Sequence, residues 1–313
     1  MKKFFLMITA ALSMVPAFAG AVPQVTKKNF TPELRSCLRI RQGAFDTVSD
    51  LYLVTAPDGT QTLIDGGLGI HRGRPYYKNV LFKVLQEQKI SHLDQIIITH
   101  PHSDHFGSIP FLLKRQDISV GKVCWAYLPP EVAQAGEPKW QDKPIQDEII
   151  KLCRERKIPL IELKKGDTLA FGSGITAKIL STGARSAKHN FVNNQSLVFQ
   201  LRYGKFTMLF TGDCGFAQEN ELLKEYGNSL RSTVLKCAHH GGSGSTGAKF
   251  LAAVAPQLIT SPMPKWLSGR RQGQEVEARI RNNGASFIRS WEYPRLSIVS
   301  DGETFELVEI TYL

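Results

Sequence analysis

The stretch THPHSDHFGS, residues 99–108, holds three of the eight histidines of the chain and one aspartate in an H-x-H-x-D-H arrangement. It follows the run Ile96-Ile97-Ile98, which predicts a buried strand because β-branched residues fill it. Imidazoles and a carboxylate at the end of a strand form the ligand mix that zinc and similar metals prefer. The stretch therefore favours a metal site over an ordinary polar loop, with ligands His100, His102, Asp104 and His105.

Two strands in the second half of the chain end in further ligand-type residues. The apolar run 206–210 leads into Thr211-Gly212-Asp213, and the run 233–236 leads to His239 and His240. A carboxylate that closes an apolar strand is costly unless it is paired or bound to a metal. We therefore expect Asp213 to be paired or bound to a metal, with a turn-forming Gly-Asp as the alternative. His239 is expected to face the same cavity as the first cluster, with a polar loop as the alternative for the His239-His240 pair.

The two halves of the chain repeat one order of predicted elements: hairpin, acidic strand end, helix, strand and histidine loop. The first half has a hairpin over 51–64 that ends at Asp65, then a helix over 76–88. The second half has a hairpin over 196–210, then a helix over 218–226. Two such halves stacked sheet to sheet predict an α/β fold, a four-layer αββα sandwich whose strand ends meet at one edge.

The rest of the chain continues the alternation of helices and strands. The predicted elements are a strand over 122–127, a helix over 146–156, extended chain over 175–180, a helix over 275–282, a strand over 286–288 and a final hairpin turned by Asp301-Gly302. No linker-like stretch separates them, so a single domain is expected.

The first residues have the pattern of a secretory signal peptide. Lys2 and Lys3 precede an apolar stretch over 4–15 and the small-residue site Ala17-Phe18-Ala19. The alternative is an N-terminal membrane anchor, but the apolar stretch is shorter than the roughly 20 residues that span a bilayer. We expect a leader over 1–19 and one exported domain over 20–313, periplasmic or extracellular, with no transmembrane segment in the mature chain.

The chain is basic, with a formal net charge of +11. Loss of the two leader lysines lowers this to about +9, a charge that attracts polyanions such as nucleic acid without choosing among them. The arginines are scattered, as at Arg35, Arg39, Arg41, Arg270, Arg271, Arg279 and Arg281. The substrate is therefore expected to be a small molecule or a nucleic acid, and the sequence indicates no protein partner.

The five cysteines do not form a C-x-x-C pair, which argues against a zinc ribbon. Because the number is odd, one of them must stay unpaired or bond elsewhere in an oxidising compartment. Cys214 and Cys237 lie beside candidate ligands in the sequence, but small buried thiols are the commoner explanation.

These motifs together resemble the metallo-β-lactamase superfamily, and more closely the soluble hydrolase domain of ComEC-type competence proteins, which is DNase-like. The resemblance rests on THPHSDHFGS, on Asn194-Gln195-Ser196, on the strand that ends in Gly212-Asp213, and on HHGGSGS over 239–245. It runs from about residue 45 to 309 and implies the metallo-β-lactamase fold and a metal-dependent hydrolase.

The resemblance implies a role for each matching residue. His100 and His102 would hold a first metal, Asp104, His105 and His239 a second, and Asp213 would bridge the two. Asp65 would support the metal loop, with an ordinary strand-end turn as the alternative. Asp104 and His240 are the candidate catalytic residues, His240 by contacting substrate or donating a proton.

One position departs from the superfamily pattern. No histidine stands just before Ser196, where the third imidazole of the first metal is expected, and Asn193 and Asn194 stand there instead. These three residues are candidates for support or substrate contact. Whether His189, a few residues upstream, or an asparagine replaces the missing imidazole is left open. Up to two zinc ions are expected, and manganese is an alternative because oxygen ligands suit it.

Hydrolysis by a metal-activated water is the reaction that this machinery favours. The first hypothesis is a secreted phosphodiesterase, specifically a nuclease, which the basic charge and the ComEC-type resemblance both suggest. The second is a hydrolase of the same fold that acts on a lactone, thioester or β-lactam. The third is a non-catalytic periplasmic protein that binds nucleic acid or metal.

Overall fold

The computed structural model describes residues 24–312, so the expected leader lies outside the described residues. In chain order the strands of that range are β1 Val25–Asn29, β2 Leu38–Gln42, β3 Tyr52–Thr55, β4 Gln61–Ile64, β5 Ile70–His71, β6 Arg74–Pro75, β7 His92–Leu93, β8 Gln95–Ile98, β9 Ser119–Val120, β10 Val123–Trp125, β11 Leu160–Glu162, β12 Thr168–Ala170, β13 Thr176–Ser181, β14 Val198–Tyr203, β15 Phe206–Phe210, β16 Val234–Lys236, β17 Leu258–Ser261, β18 Ser286–Arg289, β19 Leu296–Ser300 and β20 Phe305–Thr311.

The α-helices of the same range are α1 Pro32–Arg35, α2 Lys83–Glu87, α3 Ser103–Phe106, α4 Ile109–Leu113, α5 Pro130–Gly136, α6 Lys143–Glu155, α7 Phe216–Tyr226, α8 Ala248–Val254, α9 Lys265–Ser268 and α10 Arg271–Asn283. A π-helix, Tyr77–Phe82, precedes α2, and 3-10 turns lie at Asn193–Gln195, Gly227–Leu230 and Ala238–Gly241.

Two large sheets organise the fold. The first has the order β1-β20-β19-β2-β3-β4-β8-β10-β11 and the second the order β12-β13-β14-β15-β16-β17-β18. Because side chains alternate across a strand, each sheet has one face for the other sheet and one for helices. Tyr52 and Val54 of β3 pack against Phe199 and Phe210 of the second sheet, while Leu53 packs toward helices.

The outer faces of both sheets are covered by helices. Residues of α2, α4 and α6 pack on the first sheet, where Ile96, Ile98 and Ile149 share a core. Residues of α7, α8 and α10 pack on the second sheet around Leu235 and Ile259. The order helix, sheet, sheet, helix is the predicted four-layer αββα sandwich, which is confirmed.

Most predicted elements are present with shifted ends. The hairpin of β3 and β4 is antiparallel as expected, and the helix expected over 76–88 is a π-helix followed by α2. The helix expected over 146–156 begins three residues earlier, at Lys143. Arg39 and Arg41, counted among the scattered basic residues, are buried in β2 and add nothing to the surface charge.

The parallel pairing of four strands brings their carboxyl ends to one edge. β4 pairs with β8 in the first sheet, and β15 pairs with β16 in the second. The loops after these strands carry the predicted ligands, and ligand sites of α/β proteins form at such ends. Within residues 24–312, none of the helices combines the length and the apolar character needed to span a bilayer.

Candidate metal centre

The loop after β8 is held in place by Asp65, at the end of β4. The Asp65 carboxylate accepts hydrogen bonds from the Thr99 amide at 2.9 Å and the Thr99 hydroxyl at 2.7 Å. Its Oδ2 also lies 2.8 Å from Nδ1 of His105. Asp65 thus fixes the start of the loop and turns Nε2 of His105 away from itself and into the site.

Asp213, His105 and His240 form the buried centre of the site. Nε2 of His105 and Nε2 of His240 each lie 3.2 Å from Oδ2 of Asp213. Nε2 of His240 also lies 3.0 Å from Oδ2 of Asp104. We call this group, Asp104, His105 and His240 around Asp213, the second position.

Asp50, in the loop before β3, stands behind His240. Its Oδ1 lies 3.4 Å from Nδ1 of His240, and its Oδ2 lies 2.6 Å from Nζ of Lys236. The Asp50 carboxylate thus takes the place behind His240 that the Asp65 carboxylate takes behind His105. In both histidines the far nitrogen faces a buried carboxylate and Nε2 faces Asp213, the arrangement that orients imidazole ligands in metal sites.

His100 and His102 form a second group of imidazoles near Asp213. Nε2 of His100 is 3.0 Å from Nδ1 of His102 and 4.0 Å from Oδ2 of Asp213. Nε2 of His102 faces Oε1 of Glu137 at 3.5 Å. We call this pair, with Asp213, the first position.

In the structure, His239 and His240 have exchanged the places that the sequence predicts for them. His240, expected near substrate, contacts Asp104 and Asp213. His239, expected at the second position, has its Nε2 3.2 Å from Nδ2 of Asn193 instead. The prediction that either histidine binds metal stays a prediction, but the geometry puts His240 and not His239 at the second position.

The residues before β14 have separate tasks. Asn193 is buried and faces His239, whereas the Asn194 oxygen accepts hydrogen bonds from the Gly215 and Gln218 amides at 3.2 and 3.1 Å. The Ser196 hydroxyl accepts from the Asp213 amide at 2.9 Å. Asn194 and Ser196 therefore support the segment that carries Asp213.

His189 is exposed. Its backbone carbonyl accepts a hydrogen bond from Nδ2 of Asn194 at 3.1 Å, so the chain is tied at this residue. The structure does not bring His189 into the site. Cys214 and Cys237 are buried free thiols of the second sheet's outer core.

The carboxylates of the site control the protonation of the two central histidines. Burial alone lowers the pKa of a histidine, but the Asp213 charge, joined by Asp65 at His105 and by Asp50 at His240, raises the pKa of both well above the usual value. Burial raises the pKa of Asp213, yet the charges of the two histidines hold it well below its usual range. The buried carboxylates of Asp213, Asp65 and Asp50 therefore favour positive charge at His105 and His240.

The outer histidines behave differently. Burial lowers the pKa of His100 and of His239, which leaves both rings neutral near pH 7. For His102, burial is opposed by the hydrogen bond to Glu137 and the charge of Asp104, and the pKa is raised. Neutral imidazoles are the form that binds metals.

Two buried polar atoms of the site, Oδ1 of Asp213 and Oδ1 of Asn193, lack a hydrogen-bond partner among residues 24–312. Nε2 of His105, Nδ1 of His240 and the Asp50 carboxylate face charged groups of the site at ion-pair distances. Unpartnered buried polar atoms are costly and rare in folded proteins. Ligand atoms from Asp50, His105, Asp213 and His240 all lie within 4.8 Å of one another. Imidazole and carboxylate atoms so placed fit a divalent metal ion.

The site opens to solvent on one side. The side chains of His100, His105, Asp213 and His240 are at most 2% exposed, while Asp104 is 22% exposed. His102 is 18% exposed and Glu137 30%. A substrate would therefore approach past His102 and Asp104.

Three residues of the site were not predicted from the sequence. Lys236 has a signal, because a charged residue at the end of an apolar strand must find a partner, and it is 2% exposed beside Asp50. Asp50 immediately precedes a predicted buried strand, which is a weaker signal. Glu137 lies just after α5, and nothing in the sequence around it indicates its contact with His102.

Comparisons with known proteins agree with this geometry. A family profile described as Metallo-beta-lactamase superfamily matches residues 45–172. ComE operon protein 3 of Bacillus subtilis (strain 168) is 31% identical over 180 residues, which are 58% of this chain and 21% of that protein. Competence protein ComA of Neisseria gonorrhoeae is 25% identical over 201 residues, 64% of this chain and 24% of that protein.

A solved structure shares the fold. CmlA, a diiron beta-hydroxylase from Streptomyces venezuelae, superposes with a TM-score of 0.50 and 13% identity, over 80% of this chain and 52% of that chain. The chain spans about a quarter or less of the length of these two sequence relatives. The matches confirm the resemblance to the metallo-β-lactamase superfamily and to ComEC-type proteins, and the chain has the metallo-hydrolase fold of that superfamily.

Proposed function

We propose that this protein is a metal-dependent phosphodiesterase that cleaves nucleic acid. The observation that carries the proposal is that two groups of ligand atoms share one oxygen of Asp213. Nε2 atoms of His105 and His240, of the second position, lie 3.2 Å from its Oδ2, and Nε2 of His100, of the first position, lies 4.0 Å from the same oxygen. One carboxylate shared by two such groups suits a pair of divalent ions.

Each residue of the site has a proposed role. Asp104, His105 and His240 would hold an ion at the second position, His100 and His102 one at the first, and Asp213 would serve both. Zinc fits the nitrogen-rich donor set, and manganese is the alternative. Bound there, two such ions would supply an activated water near neutral pH and stabilise the attacking and leaving oxygens of a phosphodiester.

Asp104 has the proposed catalytic task of orienting the attacking water. It is the carboxylate at the open side of the site, 22% exposed, and its Oδ2 is held by His240 at 3.0 Å. Burial raises its pKa, but the hydrogen bond with His240 and the charge of His105 bring the pKa below the usual range. Asp104 therefore stays ionised and accepts a hydrogen bond instead of holding a proton.

The choice of nucleic acid rests on charge and on the relatives. The formal net charge of +11 favours a polyanion, and among the relatives ComA of Neisseria gonorrhoeae is named as a competence protein. A protein that contacts phosphates through basic side chains binds less tightly as salt rises. We expect DNA binding to weaken steeply between low and physiological salt.

The direct test is a substrate panel with purified protein loaded with zinc or manganese. Single-stranded DNA, duplex DNA, RNA and an activated phosphodiester form one arm, and a lactone, a thioester and a β-lactam form the other. We expect cleavage in the first arm only. Asp213→Asn should lower it by at least about a hundredfold, because the shared charge is lost while the shape is kept.

Asp147→Asn provides the matched control, since Asp147 is 52% exposed on α6 and pairs with Lys143 of the same helix at the surface. It should cleave like the wild type. Hydrolysis of an ester or lactone without cleavage of any phosphodiester would reject the nuclease proposal. Tight DNA binding that Asp104→Ala leaves intact, with no hydrolysis by either form, would instead identify a non-catalytic binding protein.

We also propose that the chain acts after export. The support is the pattern of residues 1–19, with two lysines, an apolar stretch and a small-residue site. Expression of the full chain followed by N-terminal sequencing of the mature protein tests this. A new N-terminus near residue 20 in the exported fraction is expected, and an intact Met1 in an unexported protein would contradict it.

A further inference from the structure

The two adjacent histidines 239 and 240 have an unusual backbone. Both are left-handed, with φ of 48° at His239 and 51° at His240. Such angles are strained for residues other than glycine, and they persist where the surroundings enforce them, most often at functional sites. Here the Gly242 amide donates to the His239 carbonyl at 2.7 Å, and the Thr246 hydroxyl accepts from the Ala238 amide at 3.2 Å.

This backbone sends the two rings to different places. Their centroids are 6.1 Å apart and their planes differ by 60°. Nε2 of His240 reaches Asp104 and Asp213, whereas Nε2 of His239 lies beside Asn193 at 3.2 Å. The two neighbouring residues therefore face two different parts of the metal centre.

Asn193 stands just before β14, where the superfamily pattern has the third imidazole of the first metal. Its Oδ1 is buried and has no hydrogen-bond partner within the part of the chain that the structure describes, while its Nδ2 faces the His239 ring. The site therefore has a ring nitrogen beside the place where an imidazole is missing.

The charges that act on His239 come from both positions, with Asp213, His240 and Asp104 the strongest, followed by His102. From the first position, His102 and the neighbouring Glu137 both interact with His239. Glu137 links these residues, because its Oε1 lies 3.5 Å from Nε2 of His102 and its Oε2 accepts the Val192 amide at 3.2 Å. Asn193 is the next residue after Val192. Glu137 thus joins His102 to the segment that His239 contacts.

We propose that His239 supplies the third imidazole of the first metal position, in place of the histidine that is absent before β14. The H-H pair then serves both positions, His239 the first and His240 the second. Three imidazoles and the Asp213 carboxylate form a donor set that suits zinc. This inference rests on the metal centre of the proposed function, and it is independent of which substrate is cleaved.

The test is metal binding, without any assay of activity. Zinc content after dialysis and zinc affinity by chelator competition are measured for the wild type, His239→Gln and His189→Gln. We expect two zinc ions in the wild type and in His189→Gln, the matched control with an exposed ring. His239→Gln should keep one tightly bound ion and bind the other at least about a hundredfold more weakly.

A cobalt-substituted protein gives a second readout. Each imidazole that binds the paramagnetic ion contributes a strongly shifted exchangeable proton resonance. The spectrum of His239→Gln should lack one such resonance that the wild type and His189→Gln show. An unchanged set of resonances would overturn the proposal.

The double variant His239→Gln with Asn193→His separates loss of a ligand from loss of folding. It places an imidazole at residue 193, where the superfamily pattern has one, so binding of the ion at the first position should be recovered. If His239→Gln keeps both ions at unchanged affinity while Asn193→Ala loses one, the amide oxygen is the ligand and the proposal is wrong. A wild type that binds no divalent metal would overturn the proposed function as well.

Discussion

At the scale of single residues, the site depends on carboxylates that stand behind its histidines. Asp65 contacts Nδ1 of His105 at 2.8 Å, and Asp50 faces Nδ1 of His240 at 3.4 Å. A carboxylate at the far nitrogen fixes the ring's tautomer and raises its basicity as a ligand. Asp65 and Asp50 can therefore control how tightly a metal is bound without contacting the metal themselves.

Asp65→Asn tests this orientation. The amide keeps the size of the side chain but loses the charge behind His105 and one of the acceptors that hold Thr99. We expect zinc affinity to fall by roughly 10-fold to 100-fold. Chelator competition measures this, with Asp58→Asn in the exposed turn after β3 as the control. Equal affinities for the two variants would show that Asp65 is only a structural turn residue.

Glu219 is a buried carboxyl outside the metal centre. Its carboxylate accepts hydrogen bonds from the Thr246 and Gly247 amides and so holds the loop that follows the two histidines. Burial raises the pKa of Glu219 to about 7, against the lowering effect of these two amides. The folded protein therefore binds a proton at this group more tightly than the unfolded chain does.

The sign of the resulting pH dependence follows from this raised pKa. The contribution of Glu219 to stability is complete below about pH 4.5, is lost as the pH rises to about 7, and amounts to about 3 kcal/mol. The variant Glu219→Gln should not lose this stability. Its free energy of unfolding, relative to that of the wild type, should therefore increase between pH 5 and pH 8.

Urea denaturation of the wild type and of Glu219→Gln at each pH measures the difference between their free energies of unfolding. The contributions of other titrating groups cancel in this difference. Glu225→Gln, on the exposed side of the same helix, is the control and should show no comparable improvement. A difference that stays constant with pH would mean that Glu219 is ionised throughout.

At the scale of elements, periodicity predicted the strands and helices that alternate within one half of the chain. The hairpin of β3 and β4 and the helix α7 follow directly from local apolar patterns. β1 and β2 were not predicted: β1 pairs with β20 at the far end of the chain, and β2 pairs with the equally distant β19 on one side and with β3 on the other. The π-helix Tyr77–Phe82 was read as ordinary α-helix, since the side-chain spacing of the two is similar over so few residues.

Helix α7 begins without a capping side chain of its own, because its N-cap is Gly215. Asn194 supplies the cap from another segment, since its oxygen accepts the Gly215 and Gln218 amides. Asn194→Ala should lower the free energy of unfolding by about 1 to 2 kcal/mol, as loss of a cap does. Urea denaturation measures this against Asn220→Ala, an exposed change within the same helix that should be close to neutral.

At the scale of the whole molecule, the motifs predicted where the ligand strands end but not every contact between them. The sequence places the loops 99–108 and 239–245 at one edge, and the structure brings them together. The sequence could not predict which of His239 and His240 faces the second position, because the directions of their rings depend on a left-handed backbone fixed by distant contacts. It also missed Asp50, which reaches the site only once the two sheets are stacked.

Lys236 and Asp50 join the two sheets beneath the metal centre. Asp50 lies just before β3 of the first sheet and Lys236 ends β16 of the second, and their charged atoms are 2.6 Å apart. Nζ of Lys236 also donates to the Gly212 carbonyl at 2.6 Å and lies 3.7 Å from Oδ1 of Asp213. Burial lowers the pKa of Lys236, but the two carboxylates outweigh it and raise that pKa above the usual value.

Removal of both partners should therefore cost less than the sum of the two single removals. Lys236→Met leaves the Asp50 carboxylate buried without its cation, a loss of about 3 to 5 kcal/mol. The double variant with Asp50→Asn should be more stable than the sum of the single losses predicts, by about 1 to 3 kcal/mol. Urea denaturation of the four chelator-treated proteins gives this coupling energy. The exposed pair of Lys165 and Glu225, also 2.6 Å apart, should give a coupling below about 1 kcal/mol, and equal coupling in the two pairs would show that the buried ion pair does not hold the sheets together.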